Sequence, residues 1–194
     1  MTATGTTAIP TRIPGYRAGR WAIDPVHSEV SFSVRHLMVS KVRGRFTRFE
    51  GELVTGDDPV ESTVEATIDL ASVDTDSEDR DAHLRSPDFL DVEQYPTLTY
   101  RSTSVRAEGD GFVVDGELSL HGVTRLVALA LEVNGFLPQS PFGDSRVGFS
   151  ATGELSRKDF GIAFDAPLEG GGVVVGDKIQ IALEVEAVLH EDAV

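Results

Sequence analysis

Near the C-terminus, Ile179, Ile181, Leu183, Val185, Ala187 and Leu189 alternate with Lys178, Gln180, Glu184, Glu186 and His190. A period of two specifies a strand with one buried face, because successive side chains of an extended chain leave on opposite sides. At about 3.3 Å per residue, the stretch 176–190 can reach about 50 Å. Strands of that length suit a tall, tilted barrel better than a compact sandwich.

The same period recurs along the chain. Val30, Phe32, Val34 and His36 oppose Glu29, Ser31, Ser33 and Arg35, and Val42, Gly44 and Phe46 alternate with Arg43 and Arg45. The register slips at Thr47-Arg48 and resumes with Phe49, Gly51 and Leu53, which reads as a β-bulge. Further runs carry Val64, Ala66, Ile68 and Leu70; Leu98 and Tyr100; Phe112, Val114, Gly116, Leu118 and Leu120; and Val147, Phe149, Ala151, Gly153 and Leu155. The segment 123–133 is apolar on both faces, with Leu126, Ala128 and Ala130 on its second side. That predicts a helix, a loop or a partner subunit packed outside it. One helix interrupts the strands over residues 77–85. Thr75 and Glu78 fit a capping box before it, and Ser86-Pro87 closes it. The fold expected is mainly β, an elongated antiparallel barrel of about eight strands capped by one or two short helices.

Residues 1–20, rich in Thr, Ala, Gly and Pro, read as a flexible tail, and the barrel domain as 21–194. A chain of 194 residues suits one barrel. With 32 Asp+Glu against 17 Lys+Arg, a net charge of -15 argues against nucleic acid as a partner. The absence of cysteine removes disulfides and thiol chemistry. The first residues show no apolar run behind a basic start, and no window reaches 18 apolar residues. A cytoplasmic location without stable membrane insertion is therefore the expectation.

Four stretches carry a resemblance to a known family. They are Trp21-Ala-Ile-Asp24-Pro25-Val-His27-Ser28, running into Phe32-Ser-Val-Arg35-His36-Leu37-Met38-Val39-Ser40-Lys41-Val42-Arg43-Gly44-Arg45-Phe46; Arg80-Asp81-Ala-His83-Leu84-Arg85-Ser86-Pro87-Asp88-Phe89-Leu90-Asp91; Tyr95-Pro96; and Gly116-Glu-Leu118-Ser-Leu120-His121-Gly122-Val123-Thr124. In this order the chain from Trp21 onward resembles the YceI-like family. The resemblance implies a lipocalin-like barrel, closed by a short helix, with a polyisoprenoid chain in its lumen.

The residues agree with that implication. Gly44, Gly51, Ala66, Gly116, Ala151, Gly153 and Ala187 fall on inward positions, where small side chains would leave volume for a slender apolar guest. Each buried CH₂ contributes about 0.8 kcal/mol. The expected lumen wall is Phe32, Val34, His36, Phe46, Leu53, Tyr100, Leu118, Phe149, Ile181 and Leu183. Arg80 and Arg85, in a charge-dense helix over one barrel end, are candidates for a gate or a head-group contact. The function expected is binding of a long-chain polyisoprenoid or isoprenoid quinone for storage, shielding or transfer, with no cofactor beyond that lipid.

Two rival readings stand beside it: an enzyme acting on a hydrophobic substrate in the same cavity, and a homodimeric or larger interaction module built on the 123–133 strand. His36 is the one good inward acid-base candidate. The five histidines lack metal-ligand spacing, so no metal is expected. Asp24, His27 and Ser28 read as a turn rather than a catalytic triad. Arg157-Lys158-Asp159 reads as a strand end with a local ion pair, and Gly170-Gly171-Gly172 as a flexible connection.

Overall fold

In the computed structural model, which describes residues 13–166 and 174–190, the period-two segments become strands. They are β1 (Gly19–Ile23), β2 (Glu29–His36), β3 (Ser40–Phe46), β4 (Phe49–Thr55), β5 (Thr63–Asp69), β6 (Val73–Asp74), β7 (Thr97–Glu108), β8 (Gly111–Leu120), β9 (Val123–Leu137), β10 (Arg146–Ser156) and β11 (Val175–Leu189). One α-helix, α1 (Glu78–Arg85), lies between β6 and β7. Every pairing is antiparallel, in the order β1-β4-β5-β7-β8-β9-β10-β11, and β1 returns to β11 through Trp21↔Leu189, Ala22↔Val188 and Ile23↔Ala187. The result is a closed barrel of eight strands.

The long strand β11 makes closure possible because it serves three neighbours. It pairs with β10 from Arg146↔Val188 to Ser156↔Lys178. Its C-terminal end meets β1, while its N-terminal two thirds carry β2 from Val175↔His36 to Glu184↔Glu29. Strand β3 lies beside β2, and among the described residues its far side pairs with only the two residues of β6.

The slip at Thr47-Arg48 is a break between β3 and β4 rather than a bulge. The Thr47 amide leaves the ladder and donates to Ser72 O at 3.2 Å. The chain changes partners here, so two residues must turn out of the sheet. The register shifts of the sheet fall at other points, between Ser102 and Ser104 of β7, between Gly148 and Phe149 of β10, and within β11.

Helix α1 holds no capping box. Ser77 is its N-cap, without a side-chain cap bond. Thr75 instead gives its amide (2.9 Å) and hydroxyl to the buried carboxylate of Asp81. Arg80 donates back to Thr75 Oγ1 at 2.8 Å and Thr75 O at 2.7 Å, and Arg85 to Ala71 O and Val73 O, both at 2.9 Å. Eight residues make a helix too short to persist alone. These polar clamps, together with Leu84, bind it to the barrel end.

Residues 13–18, read from sequence as part of a tail, pack on the opposite end. The Tyr16 hydroxyl donates to Gly56 O at 2.8 Å, and its ring meets Phe136 edge-on at 5.1 Å. Just inside, Trp21 is 1% exposed and its indole N–H donates to Thr55 Oγ1 at 2.8 Å. Outside β9, neither helix nor loop covers Leu126, which is 76% exposed; Ala128 and Ala130 are exposed beside it. Of the expected coverings, a helix or loop is therefore missing among the described residues. Gly170-Gly171-Gly172 lies outside them.

Candidate functional site: the barrel lumen

Inward positions of all eight barrel strands, with β2 and β3, surround a cavity of about 310 Å³. Along β11 its wall runs from Val175 through Ile179, Ile181 and Leu183 to Val185, about 33 Å of strand. Tyr16, Pro59 and Phe136 stand at one end; Leu84 of α1, Phe89, Leu90 and Ile162 stand at the other. So small a volume over so long a wall is a slot rather than a bowl.

Of the ten residues expected to line the lumen, Phe32, Val34, Phe46, Leu53, Tyr100, Leu118, Phe149, Ile181 and Leu183 do face this cavity. His36 does not. It ends β2 opposite Ser40 and Val175, at the last level of the slot, where Val175 rather than the imidazole forms the wall. Arg80 and Arg85 are also absent from the wall, because their guanidinium groups are spent on the backbone and hydroxyl contacts that hold α1.

The small inward residues do not make the void. A Cβ on Gly116 would lie 2.4 Å from the Tyr100 ring, one on Gly44 would lie 2.5 Å from Phe32, and one on Gly153 would lie 2.7 Å from Leu129. Large neighbours already lean over these glycines. Ala66 and Ala151 do line the slot, whereas Ala187 is fully buried in the cluster around Trp21.

The wall's polar groups turn toward the protein. Tyr100 shares its hydroxyl proton between Val114 O (3.0 Å) and Val127 O (3.2 Å), and burial pushes its phenol far above the usual range. Thr55 donates to Arg17 O or Gly19 O, and Ser31 to Ala182 O. No carboxylate or imidazole among the described residues lines the slot.

One charged residue among those described does line it. Arg157 is 3% exposed and donates to Gly176 O (2.9 Å), Ile162 O (2.8 Å) and Val175 O (3.2 Å). Three carbonyls occupy three of its five N–H donors, and among the described residues no carboxylate lies within 4.0 Å of it. The sequence reading had Arg157 in a surface ion pair with its neighbours. Lys158 pairs with Asp165 instead, at 2.9 Å. The missed signal is the left-handed Gly161 (φ 76), which ends the short 3₁₀ turn Lys158–Phe160 and folds the following chain back over Arg157.

Away from the lumen, Asp24 and His27 form the turn expected of them. Val26 N donates to Asp24 Oδ1 at 3.0 Å, and the His27 ring meets Asp24 Oδ2 at 2.8 Å. Ser28 faces the backbone of Glu186. The ligand atoms of Asp24, His27 and Glu186 lie within 4.8 Å of one another. Arg146 already donates to Asp24 and Glu186, and to Asp144 at 2.8 Å, so a guanidinium stands where a metal cation would have to sit.

A closed antiparallel barrel around an apolar slot, sealed by one short helix, has recognisable relatives. The YceI-like domain profile matches residues 21–187. The chain belongs to the YceI-like family. Protein YceI of Escherichia coli O17:K52:H18 (strain UMN026 / ExPEC) is 41% identical over 140 residues, covering 72% of this chain and 73% of that protein. Among solved structures, a Campylobacter jejuni YceI protein superposes with a TM-score of 0.70 at 28% identity, over 81% of this chain and 90% of that one. A polyisoprenoid binding domain from Saccharophagus degradans shares the fold, with a TM-score of 0.66 at 16% identity over 90% of this chain and all of that one.

Proposed function

We propose that this YceI-like chain binds a long isoprenoid lipid, a polyprenyl compound or an isoprenoid quinone, in the slot, for storage, shielding or transfer rather than for catalysis. The observation that carries this reading is a long, narrow wall whose side chains are apolar and whose polar groups are turned into the protein. Such a wall selects by length and width and offers hydrogen bonds at few points. The Saccharophagus relative, described as polyisoprenoid binding, supports the ligand class. Binding here is burial, worth about 25 cal/mol for each Å² of apolar surface removed from water, less the entropy of ordering a long chain. Arg157 replaces Arg80 and Arg85 as the proposed contact for a polar head, because among the described residues it is the one charged residue that lines the slot.

Organic extraction of the purified protein followed by mass spectrometry tests the reading. A stoichiometric prenyl species is expected. Folded protein that extracts empty, and takes up no prenyl lipid when offered it, overturns the proposal. Ala151→Phe supplies the internal control, since Ala151 lines the slot between its ladder neighbours Leu131 of β9 and Leu183 of β11. Filling this space should cut the extracted lipid at least tenfold while leaving the thermal midpoint of the empty protein unchanged or raised.

A further inference from the structure

We infer that the β2–β3 hairpin is a docking finger for an anionic lipid bilayer, and that it presents the α1 end of the barrel to the membrane surface. Three independent features of residues 35–48 meet there. The first is charge. These fourteen residues hold five of the chain's 17 Lys+Arg and no Asp or Glu, leaving 12 cationic side chains against 32 acidic ones elsewhere. Arg45 pairs with Asp74 and Asp76, and Arg48 with Asp69. Arg35, Lys41 and Arg43 are exposed, with no carboxylate within 4.0 Å among the described residues.

The second feature is placement. Arg35 and Lys41 stand directly opposite each other in the ladder, and Arg43 follows on the same face opposite Ser33. Like charges facing each other across two strands repel. An external anion relieves that repulsion, and phosphate groups of lipids supply one.

The third is the tip. Leu37, Met38 and Val39 are 38%, 55% and 81% exposed. Val39 N closes the turn on His36 O at 3.1 Å, with Leu37 (φ 51) and Met38 (φ 61) both in the left-handed region. Asn-Gly is the usual occupant of such a turn. Two bulky apolar residues hold strained, exposed positions here, beyond a row of cations on one face of the hairpin. An apolar tip backed by Lys and Arg is the composition that seats in the boundary between headgroups and acyl chains.

The opposite barrel end lacks this combination. Val26 and Phe142 are exposed there, each at 81%, but beside Asp24, Asp144 and Glu186. A net charge of -15 repels an anionic surface overall, whereas residues 35–48 carry cations and no carboxylate, so approach is oriented tip first. The slot ends close by: Val34 and Val175, which line it, adjoin His36 along β2 and across the ladder. Delivery of a lipid through this end rests on the isoprenoid reading; docking itself does not.

The experiment is co-sedimentation with sucrose-loaded vesicles free of isoprenoid, made of phosphatidylcholine alone or with about a third phosphatidylglycerol. The protein should pellet with the anionic vesicles at low salt, stay in solution with the neutral ones, and be released as salt rises. Replacing Arg35, Lys41 and Arg43 with Gln should weaken partitioning about fivefold per charge. Leu37→Asn with Met38→Gly keeps every cation, suits the turn better and should also weaken it, so misfolding cannot account for the loss. Failure to pellet at low salt, equal binding to neutral vesicles, or wild-type partitioning of both variants would each overturn the inference. Protein that pellets yet extracts empty of prenyl lipid sinks the cargo reading and leaves docking intact.

Discussion

At the scale of single residues, conformational strain and buried charge mark the places where local rules are broken. Leu37 and Met38 occupy positive φ without the freedom of glycine, at about 1 kcal/mol or more each. Leu37→Asn with Met38→Gly should raise unfolding stability by about 1–2 kcal/mol, read as a shifted urea midpoint at constant slope. Stability would then rise as membrane affinity falls, as expected where strain is retained for a purpose. Arg157 breaks a different rule, burial of a cation without a carboxylate, and three carbonyls make it tolerable. Arg157→Met removes all three donors and should cost about 3 kcal/mol or more in the same measurement. If the head-group assignment holds, the variant should also lose its preference for a prenylquinone over squalene in competitive uptake, a readout that simple destabilisation does not change.

At the scale of elements, α1 shows how a polar segment is recruited to an apolar barrel. Its sequence offers no apolar stripe; what fixes it is Asp81 reaching back to Thr75, with Arg80 and Arg85 completing the clamp. Asp81→Ala leaves the Thr75 amide and hydroxyl without their acceptor, at about 2 kcal/mol for a charge-assisted pair. Because α1 covers only one end, the loss should be local. Amide exchange should accelerate over residues 75–90 while the β9–β10–β11 ladder stays protected. A uniform loss of protection would show instead that the clamp supports the whole barrel. The strands obey simpler logic: alternation puts one set of side chains inside, and Gly44 and Gly116 mark where a neighbour's ring must cross, Phe32 over the first and Tyr100 over the second.

At the scale of the molecule, closure joins distant parts of the chain, and the Arg146 cluster sits across that seam. Arg146 lies on β10, Glu186 on β11, Asp24 in the turn after β1 and Asp144 in the loop before β10. Contact with His27, with Arg146 also contributing, holds the Asp24 carboxyl below its usual range, and Arg146 does the same for Asp144. Carboxyls depressed on folding contribute stability that is complete above their unfolded values near 4, and that fades as pH falls through the lower folded values. Stability should therefore hold from about pH 7 to 5 and decline below about pH 4. In Arg146→Met the carboxyls lose the partner, so urea midpoints should be lower above pH 5 and fall less steeply below pH 4. A variant curve parallel to wild type would show that other carboxylates, such as Asp74 beside Arg45, set the acid limit.

The sequence by itself determined the strands, their inward faces and most of the slot's wall, because a period of two is a local property that any half-buried strand must display. Phe32, Tyr100, Phe149 and Ile181 were legible in that way. Tertiary structure decided where the lumen is empty and what fills the rest, since the space beside Gly116 or Gly44 depends on a ring from another strand. It also decided that His36 stays out of the slot's wall, that Arg157 turns in to meet three carbonyls, and that Asp81 rather than Glu78 holds Thr75. Alternation gives the face on which a side chain leaves its strand, but not how far along the barrel axis it stands or which group from another strand completes its hydrogen bonds. Those depend on the register between strands, which contacts distant in sequence establish together.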